Sequence, residues 1–454
     1  MREHSTTLTW APGQQRTREE RLQALDQILK ILVPGFLFVS FIAALKLGSF
    51  EGYVTLFSQR VFSSPLLILG AVFTFLTLGF QGVRTWFWWR YRPYPLPEGE
   101  LPPVTVIIPA YNEGAMVEKA IYSTAASDYP AGKLEIIVVD DGSKDDTWFY
   151  IDRAQRRFPE LIRAVRFAKN RGKKEGLAAG FRLGKGEFFI TIDSDSVIEP
   201  DTVKQIIAPM LADPRVGAVA GNVKVYNRFR SLLARMLAVR FVLAFDFLRA
   251  SQSMYGFVAC TPGALSAYRK SAVLPILEAW RRQTFLGVPA TIGEDRALTN
   301  FILRQGFTSV YQRTAVVHTV VPETYRGLCK MFLRWDRSNF RESWVQLTYM
   351  FTRYRERDRF WPIVDFFITQ IEFPLTYLFL GLLLMSFYLY PIVLVKFFAG
   401  LGIITLIYMY YYYAQERDWE FIYGILYSYF AFFALNWVQP YAFLTIRNSR
   451  WLTR

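Results

Sequence analysis

Apolar runs at both ends of this 454-residue chain restrict its folding more than any single motif does. Residues 31–45 are nearly all apolar, and residues 65–83 form a second such run. Each approaches the ~20 residues an α-helix needs to cross a bilayer, although the first is short. Arg16, Arg18 and Arg21 precede the first run; Arg84, Arg90 and Arg92 close the second, with Trp86, Trp88 and Trp89 among them. Basic flanks place both outer ends in the cytoplasm, and the tryptophans mark an interface. The lead before residue 31 is too long and too mixed in charge for a secretory signal.

Beyond about residue 345 the chain turns apolar again. Arg353, Arg355, Arg357 and Arg359 precede a run over 361–390, broken by Pro374 and Pro391, and further runs cover 392–413 and 421–442. Asp365 and Glu372 inside the first of these are costly in lipid, so they should face protein or a water-filled path. A helix lying in the interface is an equal alternative for this region.

Between the ends the composition is that of a soluble domain. Pro93, Pro95, Pro97, Pro102 and Pro103 make a linker. Strand signals follow at 104–109, 134–139 and 188–192, separated by helical patterns over 116–126, 147–157 and 176–183. Such alternation predicts an α/β, Rossmann-like domain with a mostly parallel sheet and ligands at the carboxyl ends of its strands. Three polar tips then meet at one edge: Tyr111-Asn112-Glu113, Asp140-Asp141-Gly142 and Asp193-Ser194-Asp195. Alternation puts Asp193 and Asp195 on one side of an extended backbone, where two carboxylates repel unless a hard cation sits between them. A polar turn is the plain alternative for any one tip alone.

Other polar islands surround the tips. Lys169-Asn170-Arg171-Gly172-Lys173-Lys174 is a basic loop suited to a diphosphate, or simply a solvated charge run. Cys260-Thr261-Pro262-Gly263 could line a pocket, although a buried structural cysteine is commoner. Asp295, in Gly293-Glu294-Asp295, reads either as a helix cap or as a general base. Arg334, Arg337 and Arg341 sit at helical spacings around Trp335, combining diphosphate forks with a flat face for a sugar ring.

The net charge of +15 fits an anionic membrane or a phosphate-bearing substrate. Nucleic acid is not indicated, because the basic residues flank apolar segments instead of forming one basic face. Two cysteines, Cys260 and Cys329, without a CxxC pattern, exclude a disulfide scaffold or zinc site.

Taken together the order of motifs resembles that of the membrane-embedded, processive family 2 glycosyltransferases: hyaluronan synthases, Nod-factor-type chitin-oligosaccharide synthases and, more distantly, cellulose synthases. Gly293-Glu294-Asp295-Arg296-Ala297-Leu298-Thr299 is similar to that group's G-[DE]-D-R-x-L-T, and Arg334-Trp335-Asp336-Arg337-Ser338-Asn339-Phe340-Arg341-Glu342 to its R-W-x-x-S-x-x-R-[ED]. The segment 444–454 resembles its C-terminal gate, with Leu452 replacing a glycine. Met331 and Phe332 stand where the family writes glutamines.

The resemblance implies a GT-A-like domain over 93–345, preceded by a cytoplasmic segment (1–30) and two spans (31–92), and followed by interfacial and spanning helices (346–443). It implies that Tyr111, Glu113, Asp140, Asp141 and Lys173 contact a UDP-sugar donor, and that Asp193 and Asp195 approach its diphosphate with Mg2+ or Mn2+. Asp295 would be the catalytic base, Trp335 the acceptor platform with Cys260 beside it, and Arg334 and Arg337 the diphosphate partners. Trp451 and Arg454 would close over the nucleotide. A growing polysaccharide and the lipid bilayer are the implied partners, in the cell (inner) membrane with the catalytic domain cytoplasmic. A gate over the nucleotide must share that side, so a stretch around 419–437 should be interfacial or re-entrant. The expected activity is inverting, processive β-transfer, most simply from UDP-N-acetylglucosamine. A single transfer to a lipid carrier is the alternative, and a scaffold with a degenerate domain is disfavoured by the intact aspartates.

Overall fold

The computed structural model describes residues 12–46, 65–96, 98–355, 359–389 and 391–449. Arg357, Trp451 and Arg454 lie outside them, as do residues 1–11 of the N-terminal segment. The strands are β1 (Val104–Ala110), β2 (Leu134–Asp140), β3 (Ile162–Arg166), β4 (Phe188–Ile192), β5 (Ser196–Ile198), β6 (Val216–Val225), β7 (Leu265–Arg269), β8 (Thr284–Phe285), β9 (Val288–Pro289) and β10 (Thr308–Thr319). Eight of them form one sheet in the order β3-β2-β1-β4-β7-β6-β10-β5, while β8 and β9 pair as a separate hairpin. Strands β3, β2, β1 and β4 run parallel, as do β6 and β10; β7 and β5 are antiparallel to their neighbours.

The parallel strands read as unbroken apolar runs because helices cover both faces. On one face Val106, Ile108, Ile136, Val138 and Ile190 pack beneath α3 (Met116–Ala125), α4 (Thr147–Arg157) and α6 (Thr202–Ala212). On the other, Ile107 and Phe189 meet Ala178 and Phe181 of α5 (Lys173–Leu183). Helix α5 starts at Lys173, three residues before the sequence pattern indicates, so the basic loop ends in the first turn of a helix.

Strands β6 and β10 carry weaker signals; Gln312 is fully buried in β10, which defeats a hydropathy reading. The stretch between β6 and β7 is a long helical run made of α7 (Leu232–Phe241), a π-helical segment (Val242–Phe247) and α8 (Leu248–Ser253). After β9 come α9 (Glu294–Arg304) and α10 (Tyr325–Tyr349), the latter running through the expected boundary at residue 345.

Helix α1 (Pro12–Lys46), α2 (Pro65–Arg90), α11 (Phe360–Leu389) and α12 (Ile392–Glu416) are each long and apolar enough to cross a membrane. Their outward faces are apolar, with Phe75 66% and Tyr388 86% exposed, as lipid contact requires. Pro374 does not interrupt α11, and prolines are tolerated inside helices of membrane-spanning type. Helices α13 (Phe421–Ala434) and α14 (Val438–Leu444) meet at 50°, as a broken span or a re-entrant loop does.

Candidate active site

The carboxyl ends of β1, β2 and β4 open on one edge, as their parallel register demands: Ala110 lies beside Asp140, and Ile107 beside Thr191. Side chains clamp the loops together. The Asn112 amide donates to Ser143 Oγ (3.0 Å), the Lys144 amide to Asn112 Oδ1 (2.9 Å) and the Glu113 amide to Thr147 Oγ1 (2.7 Å). Tyr111 is half-buried in this wall.

Asp140 is fully buried, accepting from the Ser143 amide (3.0 Å) with Arg166 Nε 3.2 Å from its other oxygen. Asp141 accepts from the Arg171 and Gly172 amides at 2.7 and 2.8 Å. Burial raises its pKa, and those two amides only partly offset it. Both aspartates thus hold the loops in place, Asp141 fixing the basic loop before α5.

After β4, Asp193 and Asp195 line one cavity of about 500 Å3, whereas Ser194 turns away and donates to Glu113 Oε1 (2.9 Å). The two carboxylates share a side as expected, but a turn closed by the Ser196 amide on the Asp193 carbonyl (3.0 Å) sets them there, since β4 ends at Ile192 and the backbone is no longer extended. Lys173, in the first turn of α5, donates to Asp193 and lies 2.8 Å from Glu294 Oε1. Burial alone would lower the lysine's pKa, but the two carboxylates outweigh it and hold it charged. Glu294 is pushed up by burial and pulled further down by Lys173, so it ionises more readily than usual. Asp195 accepts from Thr319 and Ser196 hydroxyls, both at 3.2 Å; burial first, then the Asp193 charge, pushes it up to about 6. Two neighbouring carboxylates, one resisting ionisation, form an oxygen donor set that suits a hard divalent cation.

Asp295 sits in the first turn of α9. Its Oδ2 accepts from the Gly263 amide (3.2 Å) and its Oδ1 from the Arg296 amide (2.8 Å). Burial, then the charge of Glu294, raises its pKa, with Lys173 opposing. The backbone at Gly263 comes this close because the residue lacks a side chain: a Cβ there would lie 2.7 Å from Lys173 Nζ.

The loop entering α9 is tied down carbonyl by carbonyl. Lys174 Nζ donates to Ala290 O (3.1 Å), Arg341 to Ile292 O and Trp280 Nε1 to Glu294 O (3.0 Å). Arg341 also pairs with the fully buried Glu342 at 2.8 Å, and that carboxylate accepts from Asn300 and Gln283 at 3.1 Å each.

Helix α10 brings Arg334 and Trp335 to the same cavity. Trp335 packs against Phe241, Phe245 and Phe332, with ring centroids 5.7–6.4 Å apart. Met331 and Phe332 line the cavity too, replacing amide contacts with apolar ones. Cys260 is another lining residue, and burial pushes its thiol pKa well up, which disfavours the reactive thiolate. Arg337 points elsewhere: its Nε and Nη2 donate to Thr445 Oγ1 at 3.1 and 2.9 Å, holding the C-terminal segment. That segment reaches Thr291, whose hydroxyl donates to the Ser449 carbonyl.

Sequence reasoning passed over the helical run 232–253, which supplies Arg240, Phe241, Ala244, Phe245, Leu248, Arg249 and Gln252 to the cavity. Their spacing, one helical stripe, was the available signal. The cavity continues to Arg84 of α2 and to Asp365 and Glu372 of α11. Arg84 Nη2 lies 2.6 Å from Asp365 Oδ1, and Gln252 Nε2 donates to Asp365 Oδ2 at 2.9 Å. The two acids inside the apolar run therefore face protein and the cavity, as expected.

A mostly parallel sheet with carboxylates clustered at its strand ends is an architecture shared by nucleotide-sugar glycosyltransferases, and the family match shows that class here. The chain belongs to the family described as "Glycosyltransferase like family 2", whose model matches residues 102–338. It is 33% identical over 365 residues to an N-acetylglucosaminyltransferase of Azorhizobium caulinodans, covering 78% of this chain and 87% of that one. A hyaluronan synthase of Streptococcus pyogenes is also 33% identical over 360 residues, covering 77% and 83%. Among solved structures, a mannosyltransferase from Pyrobaculum calidifontis in complex with GDP-Man and Mn2+ shares the fold. Its TM-score is 0.56 at 22% identity, covering 80% of this chain and 97% of that one.

Proposed function

We propose that this glycosyltransferase extends a polysaccharide processively from UDP-sugars, with UDP-N-acetylglucosamine as a donor, and passes the product into the membrane. One observation carries the reading. A single cavity joins Asp193, Asp195, Asp295 and Trp335 to Arg84, Asp365 and Glu372 on helices of membrane-spanning length. The N-acetylglucosaminyltransferase and hyaluronan synthase relatives support the sugar class.

In this reading the acceptor sugar lies against Trp335 and its hydroxyl proton passes to an Asp295 carboxylate oxygen. The acceptor oxygen bonds to the donor's anomeric carbon as the bond from that carbon to the diphosphate oxygen breaks. The leaving diphosphate keeps the electron pair, and a single displacement inverts the centre. The raised pKa of Asp295 brings it toward the range in which a carboxylate is an effective base. Lys173, kept charged by its two carboxylates, and Arg334 supply fixed positive charge near the leaving group. Asp195 and Asp193 would hold Mg2+ or Mn2+, which neutralises charge developing on the diphosphate. Substrate oxygens and water would complete its ligands.

The basic flanks orient the catalytic domain to the cytoplasmic side of the cell (inner) membrane. The Thr291–Ser449 contact favours the same side for the C-terminal segment, which makes the bent α13–α14 pair re-entrant. The test is UDP release and product sizing with purified full-length protein, UDP-N-acetylglucosamine with and without UDP-glucuronate, and magnesium. Wild type should release UDP and make a long product, and Asp295→Asn should fall by about 10²–10⁴-fold. UDP release no greater than in Asp295→Asn, or one sugar on a lipid, would overturn the reading.

A further inference from the structure

Asp246 is buried in the π-helical segment Val242–Phe247. Ala244 and Phe245 of that segment line the cavity, and Asp246 does not. Its carboxylate instead accepts four hydrogen bonds from two elements distant in sequence. Trp88 Nε1 of α2 donates to Oδ1 (3.1 Å) and the Tyr311 hydroxyl of β10 to Oδ2 (3.1 Å). Arg313, also on β10, donates from Nε to Oδ2 (2.6 Å) and from Nη2 to Oδ1 (2.9 Å). The next residue, Phe247, stacks on Tyr411 of α12 with ring centroids 4.2 Å apart.

Two departures from regular backbone meet at this carboxylate. An i→i+5 turn takes in one residue more than an α-turn, so it rotates the helix beyond it by about 100° relative to α7. It thereby sets how Leu248, Arg249 and Gln252 face the cavity relative to Phe241. Strand β10 bulges against β6: Gln312 lies beside Gly221 but Val316 beside Asn222, and Arg313 begins the extra stretch. Asn222 Nδ2 donates to the bulged Arg313 carbonyl at 3.1 Å.

A buried ion pair adds little stability over apolar side chains of similar size, so its contribution here is directional. Four donors fix the carboxylate, and the π-turn is held with it. Phe245, one residue before, packs edge-on against Trp335. Trp88 lies one helical turn from Arg84, where the cavity reaches the membrane helices. Strand β10 ends at Thr319, whose hydroxyl donates to Asp195.

We infer that Asp246 is a positioning residue: it fixes the acceptor wall, Phe245 against Trp335, relative to both the diphosphate end and the membrane end of the cavity. This rests on the reading that an acceptor sugar lies against Trp335.

The test is equilibrium binding of chitotetraose and, separately, of UDP with magnesium to full-length protein, beside sizing of the product. Asp246→Asn sets an NH2 group among four donors and leaves Arg313 without its charge partner, so the turn must move. It should weaken chitotetraose by on the order of tenfold, the size of one lost aromatic contact, and leave UDP within about twofold. Arg313→Gln should show the same split, and the double variant should lose no more than either alone. Should Asp246→Asn not fold, Trp88→Phe, which removes one donor and keeps an aromatic ring, should give a smaller loss of the same kind. Equal weakening of both ligands is what a merely structural role gives, and it would overturn the proposal. Unchanged chitotetraose binding in the variants, additive losses, or wild type that binds no chitotetraose would do the same. A long product from wild type with unchanged chitotetraose binding by Asp246→Asn refutes this inference alone. Absence of a long product with the split intact refutes processive transfer and leaves this inference standing.

Discussion

Gly293 offers a sharp test of how the base is positioned. It precedes α9 with φ of +66°, and a Cβ there would lie 1.6 Å from Ser338 Oγ and 2.4 Å from Ser338 Cβ. Rotation of the Ser338 hydroxyl can relieve the first contact but not the second, and ordinary contact begins near 3.4 Å, so Gly293→Ala requires about 1 Å of relative movement between loop and helix. The left-handed backbone adds about 1–2 kcal/mol of strain. The neighbouring carbonyls are already pinned by Arg341 and Trp280, so the loop cannot yield without carrying Asp295 with it. A misplacement of about 1 Å costs roughly 10²-fold in rate, or about 2.7 kcal/mol. Gly293→Ala should therefore lower kcat by at least about 10²-fold, with a smaller change in donor KM. A second change, Ser338→Gly, removes both clashing atoms and should restore part of the loss, leaving mainly the backbone strain. UDP-release kinetics on the two single variants and the double variant measure this. Gly293→Ala within a few-fold of wild type, or no rescue by Ser338→Gly, would refute the argument.

Four further outcomes follow from charge. Asp295 must be ionised to accept a proton, so activity should rise with pH along an acid limb lying above the ordinary aspartate value of 3.8. Protons should compete with divalent metal at Asp195 as pH falls through about 6, seen as a rising metal requirement. In metal-free protein Asp195 favours the folded state while protonated, so its contribution is lost as pH rises from 3.8 to about 6; Asp195→Asn should abolish that dependence in thermal melts. Removing Glu342 leaves Arg341 buried without its charge partner, so Glu342→Ala should cost about 3–5 kcal/mol and lower Tm by about 3–5 °C.

Much of this was open to reading before any coordinates. Hydropathy determined the apolar ends and β-rich apolar runs the parallel strands, because burial on both faces leaves a continuous signal. The Asp193-Ser194-Asp195, Glu294-Asp295 and Arg334-Trp335 motifs were visible in the sequence and line one cavity, although a turn and not strand alternation sets the first of them. The fold alone decided how those groups are employed. Lys173 is held between Asp193 and Glu294, Asp141 is committed to backbone amides, and Arg337 faces Thr445, because each partner is distant in sequence. Local patterns do not encode such pairings. The stripe from Arg240 to Gln252 and the Arg84–Asp365 pair likewise gain meaning only when packing puts them on one cavity with Asp295. Composition sets which segments are buried, but three-dimensional contact decides which charges meet.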